Sequence, residues 1–185
     1  NVADYLDMTS KIHDVGATQV YPVWDGPGTV KLVILNNDLM PASQTLIKKV
    51  KEEIDPEDKE TQGYGLAPID HRVTVTAPEA FRIDIAMNVT IVDSANIDSI
   101  RANIKTSLEE LFKSLRKDWS TINATIGRGY QLTVYRSKIL SRVMMLEGVA
   151  NATMPRLNGK DEDLQLVFNN TTSQLPVLGE VTVNG

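Results

Sequence analysis

Two histidines, His13 and His71, are the only imidazoles in the chain, and neither stands at a spacing from acids or other ligands that would build a metal site. His71 follows Asp70 inside Ile69 to Thr76, a stretch that reads as a strand. Neighbours in a strand point to opposite faces, so adjacency alone does not make the pair cooperate, and a structural or solvent-exposed histidine is the simpler expectation. Gly127-Arg128-Gly129 precedes a helical pattern and would offer an anion the N-terminus of that helix. The further glycines, the lysine and the hydroxyl residue of a phosphate loop are missing, which favours an ordinary connector. Asp55, Glu57, Asp58 and Glu60 form a dense acidic stretch with the chemistry of a weak Ca²⁺ site. They lack the central glycine and closing glutamate of an EF-hand, so solvated loop charge explains them more economically. There is no GxSxG elbow, HExxH pair or dinucleotide fingerprint. We therefore expect no catalytic, cofactor-binding or metal-binding residue, and no enzyme.

The chain that must position these groups has 185 residues, 42% hydrophobic and 23% charged, which suits one domain or two small subdomains sharing a core. Its net charge of −5 argues against a nucleic-acid binder that works through a general positive field. Local basic groups, Lys48, Lys49 and Lys51 beside Glu52 and Glu53, and Lys113, Arg116 and Lys117, read as solvated helix faces with bases well placed in a last turn. No apolar run approaches the ~20 residues of a membrane span. The first residues carry acids and no basic region of a secretory signal, and the missing initial Met is what an excised fragment would show. Cysteine is absent, which excludes disulfides and thiolate metal sites. The Asn-x-Ser/Thr matches at Asn88, Asn123, Asn151, Asn169 and Asn170 are expected to be coincidental.

Pattern and punctuation give the elements. A short helix is expected over 3–12, a strand from Ala17 to Trp24, and a second, centrally buried strand from Thr29 to Leu35. Between them Gly26-Pro27-Gly28 supplies one fixed φ flanked by two residues that tolerate positive φ, the chemistry of a tight reversal. Pro41-Ala42-Ser43 opens a helix whose stripe is Leu46, Ile47, Val50 and Ile54, and Pro56 to Gly65 reads as an exposed loop.

From Phe81 to Ile91 apolar residues alternate with Arg82, Asp84, Asn88 and Thr90, the clearest strand in the chain. Asp93-Ser94 is the expected cap of a helix carrying Ile97, Ile100, Ile104, Leu108, Leu111, Phe112 and Leu115. A further helix is expected over Leu132, Tyr135, Ile139 and Val143, with Met144-Met145-Leu146 as core packing at its end. A strand over Val149 to Leu157 should then turn at Asn158-Gly159 and pair with Leu164 to Phe168, and Val177 to Val183 should form one more.

The expected fold class is α+β: a helical arm (1–14), a first sheet-plus-helix module (15–78), a second (79–157) and C-terminal strands packing back on them (158–185). The two modules have the outline that a diverged duplication would leave, without a residue-level repeat.

Several blocks in order carry a family likeness: Ala3-Asp4-Tyr5, Val15-Gly16, Trp24-Asp25-Gly26-Pro27-Gly28-Thr29-Val30, Pro41-Ala42-Ser43, Gly65-Leu66-Ala67-Pro68-Ile69, Val73-Thr74-Val75, Gly148-Val149, Leu157-Asn158-Gly159 and Leu175-Pro176-Val177-Leu178-Gly179. Together they resemble the baseplate J-like proteins of contractile phage tails and PBSX-type prophages, over essentially the whole chain and matching the later part of that family's sequence. Asp70-His71 stands where Gly-Ala would be expected. The resemblance implies a structural component of the baseplate wedge, found in the virion tail and assembled in the bacterial cytoplasm. Its partners would be other wedge and tail proteins, with oligomers in the assembled ring, no cofactor, no nucleic acid and no membrane. A carbohydrate- or peptide-binding module is the competing class, suggested by Tyr21 and Trp24 beside a turn.

Overall fold

Residues 1–123 and 129–185 are described by a computed structural model, in which the chain is α+β and divides into two units. Unit 1 comprises Asn1–Ala80, Ser120–Tyr130 and Val167–Leu175; unit 2 comprises Phe81–Trp119, Gln131–Leu166 and Pro176–Gly185.

Unit 1 opens with helix α1, Val2–Ser10, whose Asn1 cap accepts from the Asp4 amide in a reciprocal capping box. Strands β1 (Val15–Pro22) and β2 (Thr29–Asn36) pair antiparallel around the glycine reversal, and β3 (Arg72–Thr76) adds parallel to the other side of β2. Central placement buries β2 on both faces, as its apolar run, broken only by Lys31, requires. Helix α2, Gln44–Ile54, starts at Ser43, whose hydroxyl accepts from the Leu46 amide. Its buried stripe of Leu46, Val50 and Ile54 joins Tyr5, Val20, Leu32, Ile34 and Val73 in one core. Gly26 and Gly28 take φ of +93° and +76°, so the reversal is built as its residues demand. A Cβ at Gly28 would lie 2.8 Å from the Asp70 carbonyl oxygen, whereas one at Gly26 meets nothing. Gly28→Ala is expected to cost about 1–2 kcal/mol and more than Gly26→Ala; urea unfolding of both variants measures the difference.

The expected strand from Ile69 to Thr76 is shortened to Arg72–Thr76, because Asp70 adopts φ +67° and turns the backbone just before it. The position that departs from the family pattern thus keeps a conformation that glycine would adopt without strain.

The long strand β4, Glu79–Ile91, belongs to unit 2 from Phe81 onward and lies between β11 (Gln174–Asn184, in unit 2 from Pro176 onward) and the returning strands β8 (Val149–Ala152) and β9 (Arg156–Leu157). Ile83, Ile85, Met87 and Val89 are buried in strict alternation. Helix α3, Ile97–Asp118, buries Ile100, Ile104, Leu108, Leu111 and Phe112. It runs along β11: Arg101 Nε donates to Val183 O at 3.0 Å and Arg116 Nη1 to Pro176 O at 3.2 Å. Between those two contacts lie 116 − 101 = 15 helical steps, about 22 Å, and 183 − 176 = 7 strand steps, about 23 Å, so the anchors match in length.

Four expectations in this half are corrected. The α3 cap is Asn96, whose side chain accepts from the Asp98 and Ser99 amides, and not Asp93-Ser94. The expected helix from Leu132 begins only at Arg136 (α4, Arg136–Met144), because β7, Thr133–Val134, takes up the preceding residues. Asn158 and Gly159 form the positive-φ turn between Leu157 and Lys160, but Leu164–Gln165 (β10) pairs with β7 and not back across that turn. Finally, β2–α2–β3 makes a parallel connection while β8 and β9 return antiparallel to β4, so the halves differ in topology. In unit 1, β5 (Ile122–Asn123) and β6 (Gly129–Tyr130) form a separate short antiparallel pair.

Candidate functional site

The histidines part company. His13 is exposed, its Nδ1 2.9 Å from Asp14 Oδ1. His71 lies off the strand, stacked on Tyr5 with Nδ1 2.7 Å from the phenol oxygen. This ties α1 to the entry of β3, which is a structural task. Burial, reinforced by Asp55 and Asp4, pushes the Tyr5 phenol up to about 12. A raised folded-state pKa means that stability is fully present below the ordinary tyrosine value of 10.0 and is lost as pH rises through about 12. Tyr21 and Tyr130, raised by burial, act in the same direction. Tyr5→Phe is expected to flatten the fall in stability between those pH values, a fall of up to about 1.4 kcal/mol per pH unit for one such group. Urea midpoints taken across alkaline pH provide the check.

Among the described residues no group of three or more His, Asp or Glu side chains is arranged to hold a metal ion. Gly127 and Arg128 lie outside the described residues. Gly129 opens β6, and α4 starts only at Arg136, so that glycine does not sit at a helix N-terminus.

The acidic stretch is not simply solvated. Asp55, 3% exposed, ends α2 and accepts from the Val73 amide at 2.9 Å, the Thr61 amide at 3.1 Å and Lys51 Nζ at 2.9 Å. Lys51 also donates to Glu60 Oε1 at 2.7 Å and Val73 O at 2.9 Å, which occupies all three ammonium donors. Lys51 and Asp55 thereby satisfy the amide and carbonyl of Val73 on the edge of β3 that faces away from β2. The Lys51 side chain belongs to the interior of this cluster and not to a solvated face.

The sheet face opposite the α2 core carries Gln19, Tyr21, Lys31 and Val33, all buried. Tyr21 and Ser173 hydroxyls both donate to Gln19 Oε1, and the Val20 amide, on the free edge of β1, donates to Tyr130 Oη at 2.7 Å. Lys31 Nζ donates to the Asn170 carbonyl and lies 5.0 Å and 5.4 Å from the Tyr21 and Trp24 ring centres. Desolvation lowers the Lys31 pKa. Those two aromatics hold a lysine and do not present an open stacking platform. Beside them Lys31, Thr76, Glu79 and Thr172 line a cavity of about 260 Å³.

Among the described residues two groups of exposed apolar side chains stand close together in sequence. Tyr64, Leu66 and Ile69 are 69%, 51% and 67% exposed on one loop. In unit 2, Met144 and Met145 are exposed, Met145 at 81%, contrary to the expected core packing, and Met145, Leu146 and Arg142 line a groove with α3 residues Asn103, Thr106 and Glu110. The methionines follow the last buried position of α4, Val143, so the helix ends before it can turn them inward. No helix among the described residues is long and apolar enough to cross a membrane.

A baseplate J-like central domain matches residues 1–77 and a baseplate J-like C-terminal domain matches residues 83–184. The chain belongs to the baseplate J-like family. Among its relatives in Bacillus subtilis (strain 168), the uncharacterized protein YqbT is 32% identical over 183 residues and the phage-like element PBSX protein XkdT 31% identical over 183 residues. Each match covers 99% of this chain and 47% of the relative, so the chain spans a little under half their length. A chain in the cryo-EM structure of the anti-feeding prophage baseplate, 6-fold symmetrised, shares the fold at TM-score 0.58 and 12% identity, covering 94% of this chain and 35% of that one.

Proposed function

We propose that this chain is part of a structural component of a phage-like contractile-tail baseplate, acting in the wedge through protein–protein assembly. The observation that carries the reading is the ordered match of both baseplate J-like domains across the chain. Other wedge and tail proteins are its partners, the virion tail is its place, and it has no catalytic role. Two sheet-and-helix units with clipped strand edges and anchored helices suit a component that transmits force.

Outside the assembly the partners that complete its interfaces are missing. The isolated chain is therefore expected to sediment as a monomer or weak self-associate, and a tight large ring would count against this. The decisive test is electron microscopy of particles from a strain deleted for the full-length gene. Headed but tailless products support the reading; normal tails overturn it.

A further inference from the structure

We propose that the loop of residues 63–69 is a docking knob, on which Tyr64, Leu66 and Ile69 insert into an apolar hollow rimmed by lysine and arginine on a different protein of the baseplate. The proposal rests on the assembly reading above and adds the surface and the kind of partner.

Single exposed apolar residues are ordinary, but large ones gathered on one short loop mark an interaction site. The loop closes on itself, since a Cβ at Gly63 would lie 2.7 Å from Ile69 Cγ1. It is also fixed to its support. The Leu66 and Ala67 amides donate to the Glu53 and Ile54 carbonyls at 3.1 and 2.8 Å, the Asp70 amide to Thr61 O at 2.8 Å, and the Ala67 side chain is buried. A Cβ at Gly65 would sit 2.4 Å from the Ile54 carbonyl oxygen, so the backbone approaches α2 as closely as glycine permits. A surface held in this way loses little conformational entropy when a partner covers it.

Charge selects the partner. Glu52, Glu53, Glu57, Asp58 and Asp70 are exposed around the knob. Two bases nearby, Lys59 with Nζ 4.6 Å from the Tyr64 ring centre and Arg72 with Nε 3.4 Å from Glu60 Oε2, are outnumbered by these five carboxylates. An acidic rim repels nucleic acid and anionic lipid, and it repels a second copy of a chain with net charge −5. A basic rim on a different protein completes it.

The test places p-benzoylphenylalanine at Tyr64 of the full-length protein in the host, irradiates purified particles and maps the crosslinked peptide. The expected crosslink joins a different tail protein at a segment bearing lysine or arginine. A crosslink to a second copy or to lipid, or no crosslink, overturns the proposal. In parallel, the combined Tyr64→Ser, Leu66→Ser and Ile69→Ser variant should leave the melting temperature of the chain unchanged and lower the yield of complete tails about tenfold or more. Glu57→Lys with Asp58→Lys should lower it in the same direction. If deletion of the gene removes tails while the triple variant assembles them normally, the knob fails and the assembly reading stands; normal tails from the deletion remove both.

Discussion

Leu108→Asp is expected to destabilise unit 2 by about 3 kcal/mol or more, because it sets an unpaired carboxylate at the centre of the α3 stripe. Leu108 is fully buried, as are Ile104 one turn before it and Phe112 one turn after. Neighbours this close leave the carboxylate no water and no direction in which to escape along the helix. The native leucine contributes its own burial, and Leu108→Ala removes that contribution at about 2–5 kcal/mol without adding charge. The two substitutions therefore separate packing from charge. Unfolding of both variants followed by circular dichroism gives the values, and the aspartate variant should regain stability at low pH, where its side chain is neutral. A melting temperature equal to that of the parent chain would remove Leu108 from the core.

The α3 stripe and the β4 alternation are legible in sequence for one reason: each element buries a single face, and one-sided burial leaves a period. β2 is legible from the opposite signal, an apolar run with no period, bounded by turns. The short strands β6, β7 and β10 are not legible, because two residues carry no period, and for β7 and β10 the partner also lies far away in sequence. Leu164–Gln165 looks able to pair across the Asn158-Gly159 turn, yet its ladder is made with Thr133–Val134. Local turn chemistry specifies the reversal at 158–159 without specifying what pairs beyond it.

Side-chain roles were legible to a lesser degree. Ile69 is apolar and β-branched, which suggests a strand residue, but Asp70 turns the chain in the left-handed region immediately afterwards and leaves Ile69 at the surface. Hydrophobicity alone does not distinguish a core residue from one held out for a partner. Lys51 and Asp55 had a usable signal, the four-residue spacing of an ion pair in the last turn of a helix. Their burial depended on β3, 18 residues further on, which no local pattern reveals. Lys31 had a partial signal, since a lone lysine inside a strand expected to be buried on both faces must itself be covered, but its partners Tyr21, Trp24 and Asn170 are set by tertiary packing that no local pattern reveals.

Asp55→Ala is expected to cost about 3–5 kcal/mol, the range for breaking a buried ion pair by removing one partner. The loss exceeds that of a surface pair because three donors lose their acceptor together: the Lys51 ammonium and the amides of Thr61 and Val73. The Val73 amide is buried, so water does not replace the missing oxygen without opening the β3 edge. Asp55→Asn can keep its oxygen on Lys51 and the Val73 amide, which share Oδ2, while its new NH2 faces the Thr61 amide that donates to Oδ1, so it should fall between the parent and the alanine variant. In a Lys51→Met background the alanine substitution should cost at least about 1 kcal/mol less, because the Lys51–Asp55 ion pair is already absent there. Urea unfolding of the four members of that cycle measures the coupling, and a coupling near zero would mean that the cluster does not act as a unit. Hydrogen exchange supplies the link to assembly. The amides of Thr61, Leu66, Ala67 and Asp70 belong to the loop that Asp55 helps to fix, and they should lose protection in Asp55→Ala before those of β2 do. Protection unchanged at Leu66 and Ala67 would show that the knob is held by α2 alone and owes nothing to the carboxylate.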